Sequence, residues 1–209
     1  MEYSHPRPSL TTDAVVLRYQ GGWLEVLLIK RGRSPHEGHW ALPGGFVDEN
    51  ESPIDCARRE LKEETAVSEL PLYELGVFAE PGRDPRGWVA SVAFLALAPA
   101  DTQVRAGDDA REAMWFRLNQ RPELAFDHGL IIERALESLK ASTQFDTRAL
   151  QLLPPGFRTK QARHLYSQIW GQAIKPTQFK AWLRRRGAVN RIGPARFQRA
   201  DQLNGDWLR

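Results

Sequence analysis

Glu60, Glu63 and Glu64 stand at i, i+3 and i+4 within CARRELKEETAV, residues 56–67. On a helix those positions share one face, so three carboxylates point the same way. Like charges at that spacing cost an isolated helix about 0.2–0.5 kcal/mol per pair. Such a face is either a solvated surface or a place for a cation. Divalent cations such as Mg²⁺ favour oxygen ligands and bind through a few carboxylates together with substrate phosphates and water. Arg58, Arg59 and Lys62 surround the acids.

The elements that must hold this face are readable around it. Ser52 is a good N-cap, Pro53 suits a first helical position, and Asp55 stands where a capping box wants an acid. Upstream, TTDAVVLRY and WLEVLLIKR are β-rich runs joined across Gln20-Gly21-Gly22 as a hairpin. RGRSPHEGHWALPGG reads as loop. Downstream, ELGVFAE, GWVASVAFLALA and AMWFRL read as strands, the first two flanking the turn PGRDPRG. Asp127 is placed to cap a helix reaching about Lys140, with Leu130, Ile131, Ala135, Leu136 and Leu139 at helical spacing.

The 209 residues carry a net charge of +3 that is unevenly spread. Residues 151–209 hold 12 Lys and Arg against Asp201 and Asp206, giving +10 there and −7 before it. Leu153-Pro154-Pro155-Gly156 punctuates the chain where the sign changes. Two units are therefore expected, 1–148 and 149–209, the second with a polyanion as partner. Cys56 is the only cysteine, so no intrachain disulfide forms. No apolar run approaches the ~20 residues of a membrane-spanning helix, and MEYSHPRPSL lacks the apolar stretch of a signal peptide. A cytoplasmic protein without membrane contact is the expectation.

The spacing around the glutamates resembles the Nudix box, G-x5-E-x7-R-E-U-x-E-E-x-G-U with U aliphatic. Gly45, Glu51, Arg59, Glu60, Leu61, Glu63, Glu64 and Val67 fill it in order, and WALPGG precedes it. Ala66 replaces the last glycine, tolerable if its φ stays negative. The resemblance implies an α/β/α Nudix sandwich and metal-dependent hydrolysis of a nucleoside diphosphate linked to another group. Mg²⁺ (or Mn²⁺) would be held by Glu60, Glu63, Glu64 and the Gly45 carbonyl. Glu51, Arg59, Glu63 and Glu64 would form the catalytic set, with Arg59 orienting Glu51 or Glu63.

Pro81, 14 residues after Val67, and PGRDPRGW resemble the ADP-ribose pyrophosphatase branch. Arg83 and Arg86 are the candidate phosphate contacts there, since guanidinium pairs bidentately with phosphate. Trp40, Trp88 and Trp115 are either core or stacking partners for adenine. His36 and His39 read as satisfied polar residues, and Asp127-His128 as a helix cap before a catalytic pair.

In the basic segment, Ala162, Leu165 and Ile169 define one helical face, and Phe179 and Leu183 another, with Gly187 as a stop. Two short helices in succession have helix-turn-helix proportions. The second exposes Gln178, Lys180, Trp182, Arg184 and Arg185 as possible DNA readers, and VNRIGPARFQ would make a β-wing. The whole arrangement resembles Nudix-related transcriptional regulators of NAD metabolism, which join a Nudix-like domain to a C-terminal winged helix and respond to ADP-ribose. That likeness implies a homodimer. Enzyme and ADP-ribose-sensing regulator thus stand side by side: the intact box favours turnover, the basic segment favours duplex DNA.

Overall fold

The computed structural model describes residues 5–107, 110–185, 189–193 and 196–199. Strands β1 (Ser9–Gln20) and β2 (Trp23–Arg31) form the expected hairpin, closed at Gln20 opposite Trp23. Gly21 and Gly22 have φ of 60° and 90°, the backbone that a two-residue turn of matching twist demands. β3 is only Trp40–Ala41, inside the segment expected to be loop. Then follow α1 (Pro53–Thr65), β4 (Leu72–Phe78), β5 (Val89–Leu97), β6 (Ala110–Arg117) and α2 (His128–Ser142).

The main sheet runs β3-β2-β1-β5-β4, with β6 on the other edge of β2. β1 lies parallel to β5 over Ser9–Leu17 but meets β2 only at Leu17–Gln20. The two hairpin strands therefore diverge toward the start of β1. The segment around Pro43–Val47 fills that gap: Ala14 N donates to Pro43 O, Thr12 N to Gly45 O and Val47 N to Leu10 O, at 2.8–3.0 Å. A Cβ on Gly44 would overlap the Thr12 carbonyl, so only glycine lets the segment close onto β1.

Alternation along the strands builds two layers of core. Val15, Leu17, Val26, Leu28, Ala93 and Leu95 face α2 through Ile131, Ile132, Ala135 and Leu139. Ala14, Val16, Leu27 and Ala96 point the other way and pack with Leu61 of α1. Helices on both faces of a mixed sheet make the α/β sandwich.

A short 3₁₀ turn, Arg148–Leu152, carries the chain onward. β7 (Phe157–Arg158), α3 (Thr159–Trp170), α4 (Pro176–Arg185), β8 (Val189–Gly193) and β9 (Arg196–Arg199) follow. β7, β9 and β8 form a small three-stranded sheet in that order. Ala162, Leu165, Ile169, Phe179 and Leu183 are buried, as their spacing implied. They belong to the same apolar cluster as the main sheet. Polar contacts add to it. Tyr19 Oη lies 2.8 Å from His164 Nδ1, Leu24 N donates to Gln168 Oε1 at 2.9 Å, and Gln168 Nε2 donates to Gly22 O at 2.7 Å. Gly187 and Pro194, read as helix stop and wing turn, lie outside the described residues.

Candidate active site

α1 begins as its sequence requires. Ser52 Oγ accepts the Asp55 N–H at 3.3 Å and donates to Asp55 Oδ2 at 2.6 Å. The C-terminal end differs from expectation: Ala66 has φ 59° and ψ 13°, so the condition of negative φ is not met. The Ala66 N–H still closes the last helical bond to Lys62 O at 3.0 Å, but the left-handed geometry crowds an alanine Cβ. Ala66 is exposed, so Ala66→Gly should stabilise the fold by about 1 kcal/mol. A urea midpoint raised at unchanged m checks this.

The carboxylates are knitted by Arg59. Its Nε and Nη2 donate to the two oxygens of Glu51, both at 2.9 Å, and Nη1 donates to Glu60 at 2.7 Å and to Glu63 at 3.2 Å. Nη2 also donates to Phe46 O at 3.2 Å. Arg59 was expected to orient Glu51 or Glu63; it bonds both, and Glu60 as well. This pairing holds the Glu51 carboxyl down at about 2. Glu60 goes the other way, raised chiefly by burial. Its carboxylate lies against Gly45, where a Cβ would overlap it. Glu64 is only 8% exposed, and burial pushes its carboxyl up to about 8 although Gly44 N donates to Oε2 at 2.9 Å. Glu63 stays exposed. The Gly45 carbonyl accepts the Thr12 N–H at 2.9 Å and faces the Cys56 thiol at 3.9 Å.

Do these groups suit a divalent cation? Two adjacent carboxylates hold protons more tightly than usual because they are buried together, which is the electrostatic deficit that a hard cation relieves. The three acids offer the oxygen donors that such a cation takes. Among the described residues, no three His, Cys, Asp or Glu side chains already converge on one point. A bound cation would have to draw Glu63 off Arg59.

Beside Glu64 opens a cleft lined by Thr12, Asp13, Arg31, Gly44, Arg83, Arg86, Phe46, Phe126 and His128 among others, with a cavity of about 50 Å³. That volume suits water at the cleft floor, and the cleft opens outward past Arg86. Its guanidinium lies over Phe46 at 4.7 Å and Phe126 at 5.5 Å, and is tied to Asp84 by Nε at 3.0 Å and Nη2 at 2.6 Å. Arg83 also lines the cleft, with two of its three guanidinium nitrogens committed to acids. Nε and Nη2 donate to both oxygens of Asp127, at 2.9 and 2.7 Å, and Nη2 reaches Asp13 at 3.5 Å.

Asp127 therefore makes no side-chain cap on α2, contrary to the sequence reading. Trp40 packs edge-on against Phe116, Trp115 lies under Arg18, and Trp88 is exposed; none lines the cleft, whose aromatic groups are Phe46 and Phe126. Asp13 and Arg31 were missed as cleft residues, while His128 was read as part of a helix cap before a catalytic pair. For Asp13 a signal existed: it is the one charged residue in the buried run 11–17.

On α4, Gln178, Lys180, Arg184 and Arg185 are exposed as expected. Trp182 is not a free reader: it is half-buried, stacked on Phe179 at 5.5 Å and beside Tyr166 at 5.0 Å.

The NUDIX domain pattern matches residues 7–135, more than half of the chain, and the chain belongs to that family. It is 30% identical over 88% of its length to an ADPR responsive transcriptional repressor, NtrR, of Acinetobacter baylyi, covering 76% of that protein. It is 43% identical to the ADP-ribose pyrophosphatase of Methanocaldococcus jannaschii over 63% of this chain and 73% of that one. Among solved structures, a MutT/nudix family protein from Enterococcus faecalis superposes with TM-score 0.87 and 33% identity, over 95% of this chain and 89% of the other. Shewanella oneidensis NrtR, solved with a 27mer DNA, superposes with TM-score 0.74 and 30% identity, over 91% and 92%. Its NUDIX domain with ADP ribose superposes with TM-score 0.60 and 35% identity, over 65% and 91%.

Proposed function

We propose that the protein is a metal-dependent Nudix pyrophosphohydrolase acting on a nucleoside diphosphate derivative, ADP-ribose above all, to give AMP and ribose 5-phosphate. The observation that carries this reading is the carboxylate face itself: Glu60, Glu63 and Glu64 gathered by Arg59 on α1, beside a cleft lined with arginine. The 43% identity to an ADP-ribose pyrophosphatase supports the substrate.

Glu60, Glu63, Glu64 and the Gly45 carbonyl would hold Mg²⁺ or Mn²⁺. When bound, that cation supplies polarisation of the phosphoryl oxygens and activation of water. The chain's own residues do the rest. Arg59 orients the acids through Glu51, and Gly44 N–H fixes one oxygen of Glu64. Arg86 meets the ligand at the mouth of the cleft, and Arg83 shapes its wall. Calorimetric titration of the Glu64→Gln variant with ADP-ribose, dATP, NADH and a diadenosine polyphosphate tests the substrate. ADP-ribose should bind tightest; preference for another of the four would move the chain to a different Nudix branch.

The basic segment supports a second activity in the same chain. Residues 149–209 are proposed to act as a winged helix that reads duplex DNA through Gln178, Lys180, Arg184 and Arg185, in a homodimer, with ADP-ribose weakening the complex. Similarity to NtrR and NrtR favours it. The coupling would be about 5–150-fold and reciprocal. Because α3 and α4 share the core of the main sheet, truncation would expose that core. Charge reversal is the cleaner test. Lys180→Glu with Arg184→Glu should weaken DNA binding and flatten the salt dependence by about 0.9 per lost phosphate contact. An unchanged slope would remove α4 from the interface.

A further inference from the structure

The segment that carries Gly44 and Gly45 runs beside β1 with a bend at Pro43. Toward β1 it spends the carbonyls of Pro43 and Gly45 and the N–H of Val47. The N–H groups of Leu42 and Gly44 go to side chains instead. Gly44 N donates to Glu64 Oε2 at 2.9 Å, and Leu42 N donates to His128 Nδ1 at 2.8 Å. The carboxylate and the imidazole thus hold the same short segment.

We propose that His128 is a positioning residue for the metal-binding carboxylate: by accepting the Leu42 N–H it fixes the strip of backbone that holds Glu64. This rests on the reading of Glu64 as a metal ligand. The tautomer follows from the hydrogen bond. A backbone N–H only donates, so Nδ1 presents a lone pair and the proton sits on Nε2. Nε2 lies 3.3 Å from Asp13 Oδ1. Asp13 Oδ2 accepts from Ser91 Oγ at 2.5 Å and faces Arg83 Nη2 at 3.5 Å. The ring is thus oriented from both sides, with 4% exposure, and Leu42 has 2%. Without His128 the Leu42 N–H has no solvent to turn to, and the segment must shift to satisfy it. Gly44 rides on that segment two residues away, and Glu64 moves with it.

The test compares the full-length wild type, His128→Ala and His128→Asn. The Asn Oδ1 can stand where Nδ1 stands and accept the same N–H. Three readouts apply: Mn²⁺ affinity by electron paramagnetic resonance, the ¹⁵N shifts of the His128 imidazole without metal, and kcat against KM for ADP-ribose. Nδ1 should be unprotonated and Nε2 protonated. Ala should weaken Mn²⁺ binding by about 10–100-fold, the scale on which groups behind metal ligands act, and Asn should restore most of it. kcat should follow the metal affinity while KM holds. Ala binding Mn²⁺ like wild type, Asn no better than Ala, or a proton on Nδ1 would overturn the proposal. If Ala fails to fold, Asn and the imidazole shifts still decide. Wild type that binds Mn²⁺ without turnover would sink the hydrolase reading and leave the Mn²⁺ series to judge His128. Wild type that binds no Mn²⁺ would overturn both.

Discussion

Glu64→Gln should lower metal-dependent turnover by at least about 100-fold, the cost seen when one electrostatic contact to a transition state is lost, while the fold survives. Gln keeps the volume and still accepts the Gly44 N–H, but it brings no charge to a cation. The same substitution should change the pH dependence of stability. In the metal-free protein burial pushes the Glu64 carboxyl up from 4.5 to about 8. Between those values the folded chain holds a proton that the unfolded chain has released. The Glu64 contribution to stability therefore falls as pH rises from about 4.5 through about 8, while His128, held below its usual range by burial, acts with opposite sign below 6.5. Glu60, raised by the same burial, adds to that slope. Glu51 acts with opposite sign in a lower window, because its depressed carboxyl stabilises above 4.5 and loses that effect as pH falls toward 2. Thermal midpoints in EDTA at pH 5.5 and 8 should drop for wild type and drop less for Glu64→Gln. Mg²⁺ at pH 8 should rescue the wild type alone. Parallel behaviour of the two proteins would refute the assignment of Glu64.

Arg83→Met should destabilise the fold by about 3–5 kcal/mol, because it strips a buried pair of one member and strands the other. The Arg83 side chain is 5% exposed, and its partners Asp13 and Asp127 are 9% and 19% exposed. Met fills most of the space, so the loss is electrostatic. Denaturant unfolding at fixed m measures it. A loss under about 1 kcal/mol, the scale of a surface pair, would mean that the network relaxes into solvent. Adding Asp127→Asn to Arg83→Met should recover part of the loss, since it removes one of the stranded charges.

Local rules carried much of this architecture. Ser52, Pro53 and Asp55 announce the start of α1, and the paired glycines announce the β1–β2 turn; both depend on neighbours in sequence. The glutamate face was legible for the same reason, since helical spacing alone puts Glu60, Glu63 and Glu64 together. What escaped depends on approach in space. His128 meets Leu42 across 86 residues, and Arg83 meets Asp127 across 44. No local pattern ties them, so Asp127 was read as a side-chain cap and the buried ion pairs of Arg83 went unseen. Ala66 fails for a subtler reason: nothing in its own identity reveals a positive φ, which the helix end imposes. Trp182 sits on a basic helix, yet Tyr166 and Phe179 claim its ring.

The most direct test of the central claim is product analysis of ADP-ribose incubated with the wild-type protein, with Mg²⁺ and with EDTA. The account predicts AMP and ribose 5-phosphate in equal amounts with Mg²⁺, and neither with EDTA. Intact ADP-ribose under both conditions, or cleavage indifferent to the metal, would contradict it.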